Sequence, residues 1–443
     1  MGSFPPMLAS MQGGYLCPFV SVGKISCYDQ PVSLMDLHTH AIAAGGGCVA
    51  RAADGRVVFV RHSLPDERVM ARITGETTSF LRADAVEILE PSPDRVAPPC
   101  PHAGPGRCGG CDFQHVAVPA QRALKATLVS EQLRRLAGDD RSVTVEEVPG
   151  APDGLGWRTR VRFAVDRRGR IGLRRHRSHD IETVEHCLIA SASVDAVGVP
   201  GQRWSGAREV EVLTSPDGGK PVVSIETGHR RLGDRPAVTA GRVVNGRTER
   251  EPHRLSFDVL GRRYQVSAGV FWQVHPGAPT VLALTVLEGL DLQVGERVAD
   301  LYAGAGLFTA LVAEAVGTTG AVLAVERSGR ACADASRNTG GQPQVTVTRA
   351  DVTAELVSSG RLGAPDVVIL DPAREGAGRG VMAALAGLRP APRRIAYVSC
   401  DPASFARDLR VMTDAGWRMA SLRCFDLFPM TGHVELVAML DPP

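Results

Sequence analysis

The chain has 443 residues and carries 50 basic against 48 acidic side chains, a formal net charge of +2. That length allows about three domains with a sizeable core, and the near-balance of charge excludes reading a polyanionic partner from composition alone. No apolar run approaches the roughly 20 residues of a membrane-spanning helix, so a soluble, cytoplasmic protein is expected.

Residues 1–36 mix Gly, Pro and isolated apolar residues, and "YLCPFVSVGKISCY" lacks the basic start and small-residue cleavage site of a signal peptide. They are expected to be a disordered extension, with Met35 as an alternative start. Residues 37–92 alternate in the strand period, through "GGGCVARAADGRVVFVRHSLPDERVMARITGE" and "FLRADAVEILE". Short strands with turns at Gly45-Gly46-Gly47 and Asp54-Gly55 predict a small all-β barrel. The Pro-rich "SPDRVAPP" then leads into a middle region, residues 93–265.

The ten cysteines are clustered, which points to an intracellular metal or catalytic role rather than to disulfides. The middle region opens on "CPHAGPGRCGGCDFQH", continues through a helix over about 118–138 and then becomes strand-rich. Cys100, Cys108 and Cys111, with Cys187 in "VEHCLIA", are its only cysteines. Two readings stand: structural zinc on four thiolates, with His102 and His115 as substitutes, or an iron–sulfur cluster. Within "WRTRVRFAVDRRGRIGLRRHRSH", the period-2 rule puts Arg158, Arg160 and Arg162 on one strand face. Six more arginines follow, at 167, 168, 170, 174, 175 and 177. This is either a solvated hairpin or a surface that contacts phosphates.

From residue 266 to 443 the pattern becomes strand, helix, strand, helix. "RVADLY", "AVLAVE", "VTVTRAD", "DVVILDPA" and "RIAYVSC" read as buried strands, with helices such as Leu307–Val316 and Gly380–Gly387 between them. "LRCFDLFP" and "HVELVAML" would complete a doubly wound α/β sheet. In "DLYAGAGLFT", Gly304 and Gly306 occupy the first strand-to-helix turn, where glycine lets backbone approach a ligand. Thr309 stands where a dinucleotide fingerprint wants its third glycine, which argues against NAD. Glu326 and Asp351, at the next two strand ends, complete the pattern of an S-adenosylmethionine site.

Asp371 ends a fourth strand and Cys400 a fifth, just ahead of a helix over Ser404–Met412. A helix N-terminus there is expected to favour the Cys400 thiolate. Glu435 is a lone carboxylate in an apolar strand, a placement that is costly unless the residue is paired or functional.

Together these motifs resemble the bacterial RNA uracil-C5 methyltransferases, in particular their iron–sulfur branch acting on 23S ribosomal RNA. The resemblance runs from about residue 37 to the end. "CGGCDFQH", "GVFWQVHPGA", "DLYAGAGLFT", "AVE", "DPAREGA", "YVSCDP" and "TGHVE" occur in the family's order. It implies a multidomain α/β chain: a TRAM-like β-barrel, a central β-rich iron–sulfur and RNA-binding domain, and a Rossmann-like methyltransferase domain. It implies Cys400 as nucleophile and Glu435 as general base. Gln273, Tyr302, Gly304, Gly306, Leu307, Glu326, Asp351 and Asp371 would then line the pocket for S-adenosylmethionine and the target base. Cys100, Cys108, Cys111 and Cys187 would hold a [4Fe-4S] centre, and the partner would be RNA bound by a monomer. The chain departs from the family in a longer Cys100–Cys108 spacing, in "QVH", in "SCDP", and in an apolar Leu307.

Three other functions compete. A transfer RNA could replace ribosomal RNA as the substrate. A cytosine-C5 enzyme of this kind would carry a second cysteine in the "DPA" turn, and none is there. A non-catalytic RNA-binding or RNA-folding protein would need neither Cys400 nor Glu435.

Overall fold

The computed structural model describes residues 34–228, 232–233 and 236–443. The extension expected over 1–36 therefore lies outside the described residues as far as Ser33. Its last three residues already belong to β1 (Leu34–His38), where Met35 pairs with Ala71.

The first unit is a six-stranded sheet of β1, β2 (Ala41–Ile42), β3 (Cys48–Arg51), β4 (Val57–Arg61), β5 (Arg68–Glu76) and β6 (Phe80–Glu90). Their order is β1-β5-β6-β4-β3-β2. Alternate residues of β3, β4 and β5 (Ala50, Val58, Val60, Val69, Ala71) close over a small apolar core of their own. The cysteine-bearing loop follows and ends at α1 (Val118–Gln132), which Pro119 opens. A π-helical turn, Leu133–Ala137, extends it and stops at Gly138, whose φ is +72°.

After β7 (Val145–Glu147) comes the central sheet: β8 (Arg160–Val165), β9 (Ile171–Arg174), β10 (Ile181–Thr183), β11 (Glu209–Leu213), β12 (Val222–Glu226), β13 (Gly241–Val244) and β14 (Arg247–Arg250). A one-turn helix, α2 (Ala192–Asp195), covers it. Its order is β10-β9-β8-β11-β12-β13-β14. Arg158 falls outside β8, so only Arg160 and Arg162 share the expected face. Both are tied to Glu211 on β11, at 2.9 and 3.1 Å. The hairpin β15 (Arg254–Val259) and β16 (Arg262–Ser267) straddles the division expected at 265/266. Leu255, Phe257, Tyr264 and Val266 pack it into the core of the last domain, so the hairpin goes with that domain.

That domain contains α3 (Ala278–Leu290), β17 (Arg297–Leu301), α4 (Leu307–Val316), β18 (Ala321–Glu326), α5 (Gly329–Asn338), β19 (Val345–Arg349), α6 (Ala354–Ser358), β20 (Val367–Leu370), α7 (Gly378–Ala386), β21 (Arg394–Ser399), α8 (Pro402–Asp414), β22 (Arg418–Asp426) and β23 (Glu435–Asp441). The sheet order is β19-β18-β17-β20-β21-β23-β22-β7. β17 to β21 run parallel and are covered by helices on both faces, which is why Val367–Leu370 and Ile395–Val398 are unbroken apolar runs without exposed area. β23 is antiparallel to β21, so its first residue lies at the edge where the parallel strands end. β7, from the chain ahead of the central sheet, pairs in parallel with β22. Lys125 of α1 is buried against Asp426 at 2.5 Å and also donates to the Phe428 carbonyl, at 3.0 Å.

Candidate active site

Strand order reverses between β17 and β20, and in open α/β sheets the crevice beyond the strand ends at such a point is the ligand site. Tyr302 follows β17 with φ +67°, and its N–H and that of Ala303 both donate to the Val325 carbonyl. The turn then passes Gly304 (φ +56°) and Gly306 (φ +84°) into α4. A Cβ on Gly306 would lie 3.1 Å from Ala335 of α5, so glycine is required there by both φ and contact. Glu326 at the end of β18 orients this loop, accepting from Gly304 N at 3.2 Å and from Ser328 N at 2.6 Å.

Asp300 in β17 was not singled out from the sequence. It is fully buried and bonds Thr309 at 2.5 Å, while its Oδ1 has no partner. Burial, opposed by the Thr309 bonds, raises its pKa to about 6. A Gly turn, an oriented acid at the second strand end and an orphaned buried carboxylate oxygen suit a zwitterionic nucleoside with ribose hydroxyls. Two further expected members of this set differ in environment. Leu307 is buried in the core and its carbonyl is taken by the Tyr264 hydroxyl at 3.0 Å. Its backbone oxygen is therefore already engaged. Asp351 is exposed and lies two residues beyond β19. Gln273 is buried in the loop ahead of α3, beside a small cavity of about 20 Å³ shared with Thr159 and Trp272.

Cys400 and Glu435 lie at one end of the same ladder. The antiparallel pairing of β21 with β23 ends at Ser399 facing Leu436; Cys400 follows directly on one side and Glu435 precedes on the other, and the Glu435 charge bears on the Cys400 thiol. Parallel pairing of β20 with β21 brings Asp371 to the same edge. Glu435 is 2% exposed. Its pKa is pushed well up by burial and then by Asp371, against a downward pull from Arg374. Burial and then Asp300 raise Asp371 to about 7. Cys400 goes up to about 12, through burial first and Glu435 next, with Arg374 opposing. Burial thus opposes the effect expected of the helix end on this thiol. Asp401 caps α8, accepting from Ser404 N at 2.7 Å, so the helix end is already matched by a carboxylate.

Arg374 was passed over in the sequence although it lies within "DPAREGA". It is the cation whose charge reaches both Cys400 and Glu435, and it meets His433 at 3.2 Å. The loop that bears it is anchored by Asp408, which accepts from Tyr397 Oη at 2.5 Å, Ala377 N at 2.8 Å and Gly378 N at 3.1 Å.

The four middle-region cysteines line one cavity of about 60 Å³, together with His102 and Arg158. The loop is docked by Gly109, whose N–H donates to the Arg174 carbonyl at 3.0 Å. N–H groups of Gly110 and Gln114 point at Cys108 and Cys111 Sγ, at 3.4 and 3.5 Å. Burial raises Cys108 to about 11 and Cys111 to about 12. His102 bonds Glu182, and His115 is buried against the Ser63 carbonyl away from the cavity, so His115 is not a fifth ligand candidate. Among the described residues, no group of three or more His, Cys, Asp or Glu side chains converges tightly enough to hold a metal ion.

This fold, with its glycine turn and its row of acids and a cysteine at the strand ends, is that of a Rossmann-like methyltransferase of the S-adenosylmethionine-dependent class. The family Protein-L-isoaspartate(D-aspartate) O-methyltransferase (PCMT) matches residues 263–366, within that domain. An uncharacterized RNA methyltransferase of Streptomyces coelicolor is 45% identical, over 93% of this chain and 94% of its own. The 23S rRNA (uracil(1939)-C(5))-methyltransferase RlmD of Edwardsiella ictaluri is 31% identical, over 90% of this chain and 93% of its own. The crystal structure of Pyrococcus abyssi tRNA (uracil-54, C5)-methyltransferase with S-adenosyl-L-homocysteine shares the fold. It matches at TM-score 0.70 and 22% identity over 92% of this chain and 100% of that one. The chain belongs to the RNA uracil-C5 methyltransferase family.

Proposed function

We propose that the protein methylates C5 of a uridine in 23S ribosomal RNA, with Cys400 as nucleophile and Glu435 as general base. The observation that supports this reading is that Cys400 and Glu435 lie at the same end of the β21–β23 ladder, close enough for the Glu435 charge to act on the thiol. Uracil C5 is a weak nucleophile. Addition of Cys400 Sγ to C6 places the electron pair on the C5–C4–O4 system and makes C5 reactive. S-adenosylmethionine, when bound, supplies the electrophilic methyl group. Glu435 then takes the C5 proton, the C5=C6 bond re-forms, and Sγ leaves. Arg374 stabilises the anionic forms of both groups, since a cation nearby favours them. Gly304, Gly306, Glu326 and Tyr302 would hold the methyl donor, Asp300 would offer it an unpaired oxygen, and Asp371 and Gln273 would meet the base. The target must leave its stack to enter so buried a site.

The barrel assignment for residues 37–92 and the [4Fe-4S] centre belong to the same proposal. A single zinc ion draws its thiolates to about 2.3 Å from one point, whereas an iron–sulfur cluster spreads its cysteines around a polynuclear core. The four thiols line a common cavity, which suits a centre shared among them. Cys100, Cys108, Cys111 and Cys187 would be its ligands. Relatives named for 23S rRNA favour that substrate over tRNA, for a monomer working in the cytoplasm. No helix among the described residues is long and apolar enough to cross a membrane.

The test is nucleoside mass spectrometry of 23S rRNA and tRNA, each incubated with enzyme and S-adenosylmethionine. 5-Methyluridine in the ribosomal RNA is expected. Its appearance in tRNA alone reassigns the substrate, and 5-methylcytidine or no product overturns the reading.

A further inference from the structure

The loop that carries the chain from β22 to Glu435 is held from outside the methyltransferase domain. The N–H groups of Asp112 and Phe113, in the cysteine-bearing loop, both donate to the Met430 carbonyl, at 2.9 and 3.0 Å. In return Gly432 N–H donates to Asp112 Oδ2 at 3.1 Å, and Arg61 of β4 reaches Asp112 Oδ1 at 3.5 Å. Gln121 of α1 accepts from Met430 N at 2.8 Å. Met430 has φ +65°, a left-handed conformation that a side chain with a Cβ holds only when its surroundings impose it.

The stack leaves no room for adjustment. A Cβ on Gly46, in the β2–β3 turn, would lie 2.5 Å from Asp112 Cβ, and one on Gly432 would lie 3.1 Å from Gly46 N. Barrel turn, cysteine loop and base loop are thus in direct contact, and Gly432 precedes Glu435 by three positions.

We propose that Asp112 is a positioning residue for Glu435: its carboxylate fixes the Gly432 peptide, and with it the angle at which the chain enters β23 and aims the base. An ionised acceptor makes the stronger hydrogen bond to a peptide N–H, which suits this task. The proposal rests on Glu435 being the base. It separates two steps, because Cys400 stands on β21, which Asp112 does not touch. Addition at C6 proceeds without the clamp; proton removal from C5, and the release of Sγ that follows, does not.

The test uses the full-length protein with RNA and S-adenosylmethionine, following steady-state rates and the protein–RNA adduct on a denaturing gel. Asp112→Ala is expected to lower kcat about 10- to 100-fold, the scale of a small misplacement of a catalytic group, and to accumulate adduct. KM for RNA should fall along with kcat, leaving kcat/KM little changed, because the slowed step follows methyl transfer and adduct accumulates ahead of it. Asp112→Asn, whose amide oxygen still accepts from Gly432, should recover most of the turnover. Gly46→Ala, which displaces Asp112 from the barrel side, should accumulate adduct to a smaller extent. It decides the matter if Asp112→Ala does not fold. Glu435→Gln is run beside them as reference. Adduct in Glu435→Gln with none in Asp112→Ala or Gly46→Ala overturns the positioning role, as does a loss confined to KM. No adduct in Glu435→Gln removes instead the assignment of the base.

Discussion

The strand-edge site and the cysteine cavity are built by opposite means. At the strand edge, Glu326 ends its strand, Glu435 begins its own, and Asp371 and Cys400 follow theirs by one residue, so the hydrogen-bond ladders of the sheet set all four along one edge. A one-residue slip would turn every side chain to the other face, so the pairing is over-determined by a buried sheet. The cavity draws Cys100, Cys108 and Cys111 from one loop and Cys187 from another, with no ladder between them beyond the isolated bridge of Cys108 to Arg175. On the proposed reading, the chemistry that needs two groups at fixed separation would sit on the rigid element, and a centre that gathers its own ligands on binding would sit on loops.

The sharpest way to break this contrast is at Cys400. Cys400→Ala should abolish methyl transfer while RNA binding survives, read by methyl incorporation beside a filter-binding isotherm; retained turnover would remove the covalent mechanism. Glu435→Gln should also stop product, but with the RNA held covalently as a slow band on a denaturing gel. Cys187→Ser should remove the broad visible absorption expected of anaerobically purified protein. It should lower turnover less than either strand-edge change, and a colourless, zinc-loaded native protein would exclude the iron–sulfur reading.

A smaller and graded effect concerns pH. Burial first and Glu435 next raise the Cys400 pKa to about 12 in the free enzyme, so the reactive thiolate form carries one proton fewer than the form that dominates at neutral pH. Because kcat/KM reports the free enzyme, it should rise by roughly tenfold per pH unit across the neutral range. A profile flat from pH 6 to 8, on the order of those units, would show that the thiol is already ionised. The smallest effect is expected among the arginines of the central sheet. Arg160 and Arg162 are engaged by Glu211, whereas Arg167, Arg168 and Arg177 are exposed and make no ion pair among the described residues. Changing one of the latter to Ala should flatten the salt dependence of RNA binding by about one phosphate contact's worth, roughly 0.7–0.9 in the log–log slope.

Those arginines show where the sequence ceased to be legible. Period-2 spacing correctly put Arg160 and Arg162 on one face, but their partner Glu211 lies about fifty residues away, in a strand whose neighbour no local pattern specifies. The parallel strands were readable because double burial leaves an unbroken apolar run ending at a polar residue. Glu435 stood out as a carboxylate in such a run, and Asp300 carried the same signal inside "VADLY". Cys400 was placed at its strand end by the apolar run before it, whereas the burial that raises its pKa and the Asp401 side chain that takes the helix terminus depend on tertiary packing. Asp112 carried no sequence signal of its function, since its contacts with Gly432 and Arg61 join residues hundreds and tens of positions apart.

β7 has a consequence for the order in which the protein is made. This strand closes the outer edge of the sheet against β22, yet it is synthesised before the whole central sheet, while β22 and β23 come last. Domains otherwise fold from the N-terminus as they emerge from the ribosome. Here an early segment must wait for the final one, and Glu435 reaches Cys400 only when the last strand of the chain is in place. On the proposed mechanism, a chain that lacked β23 would keep the Cys400 thiol but lose the Glu435 carboxylate, and so could form an adduct without resolving it.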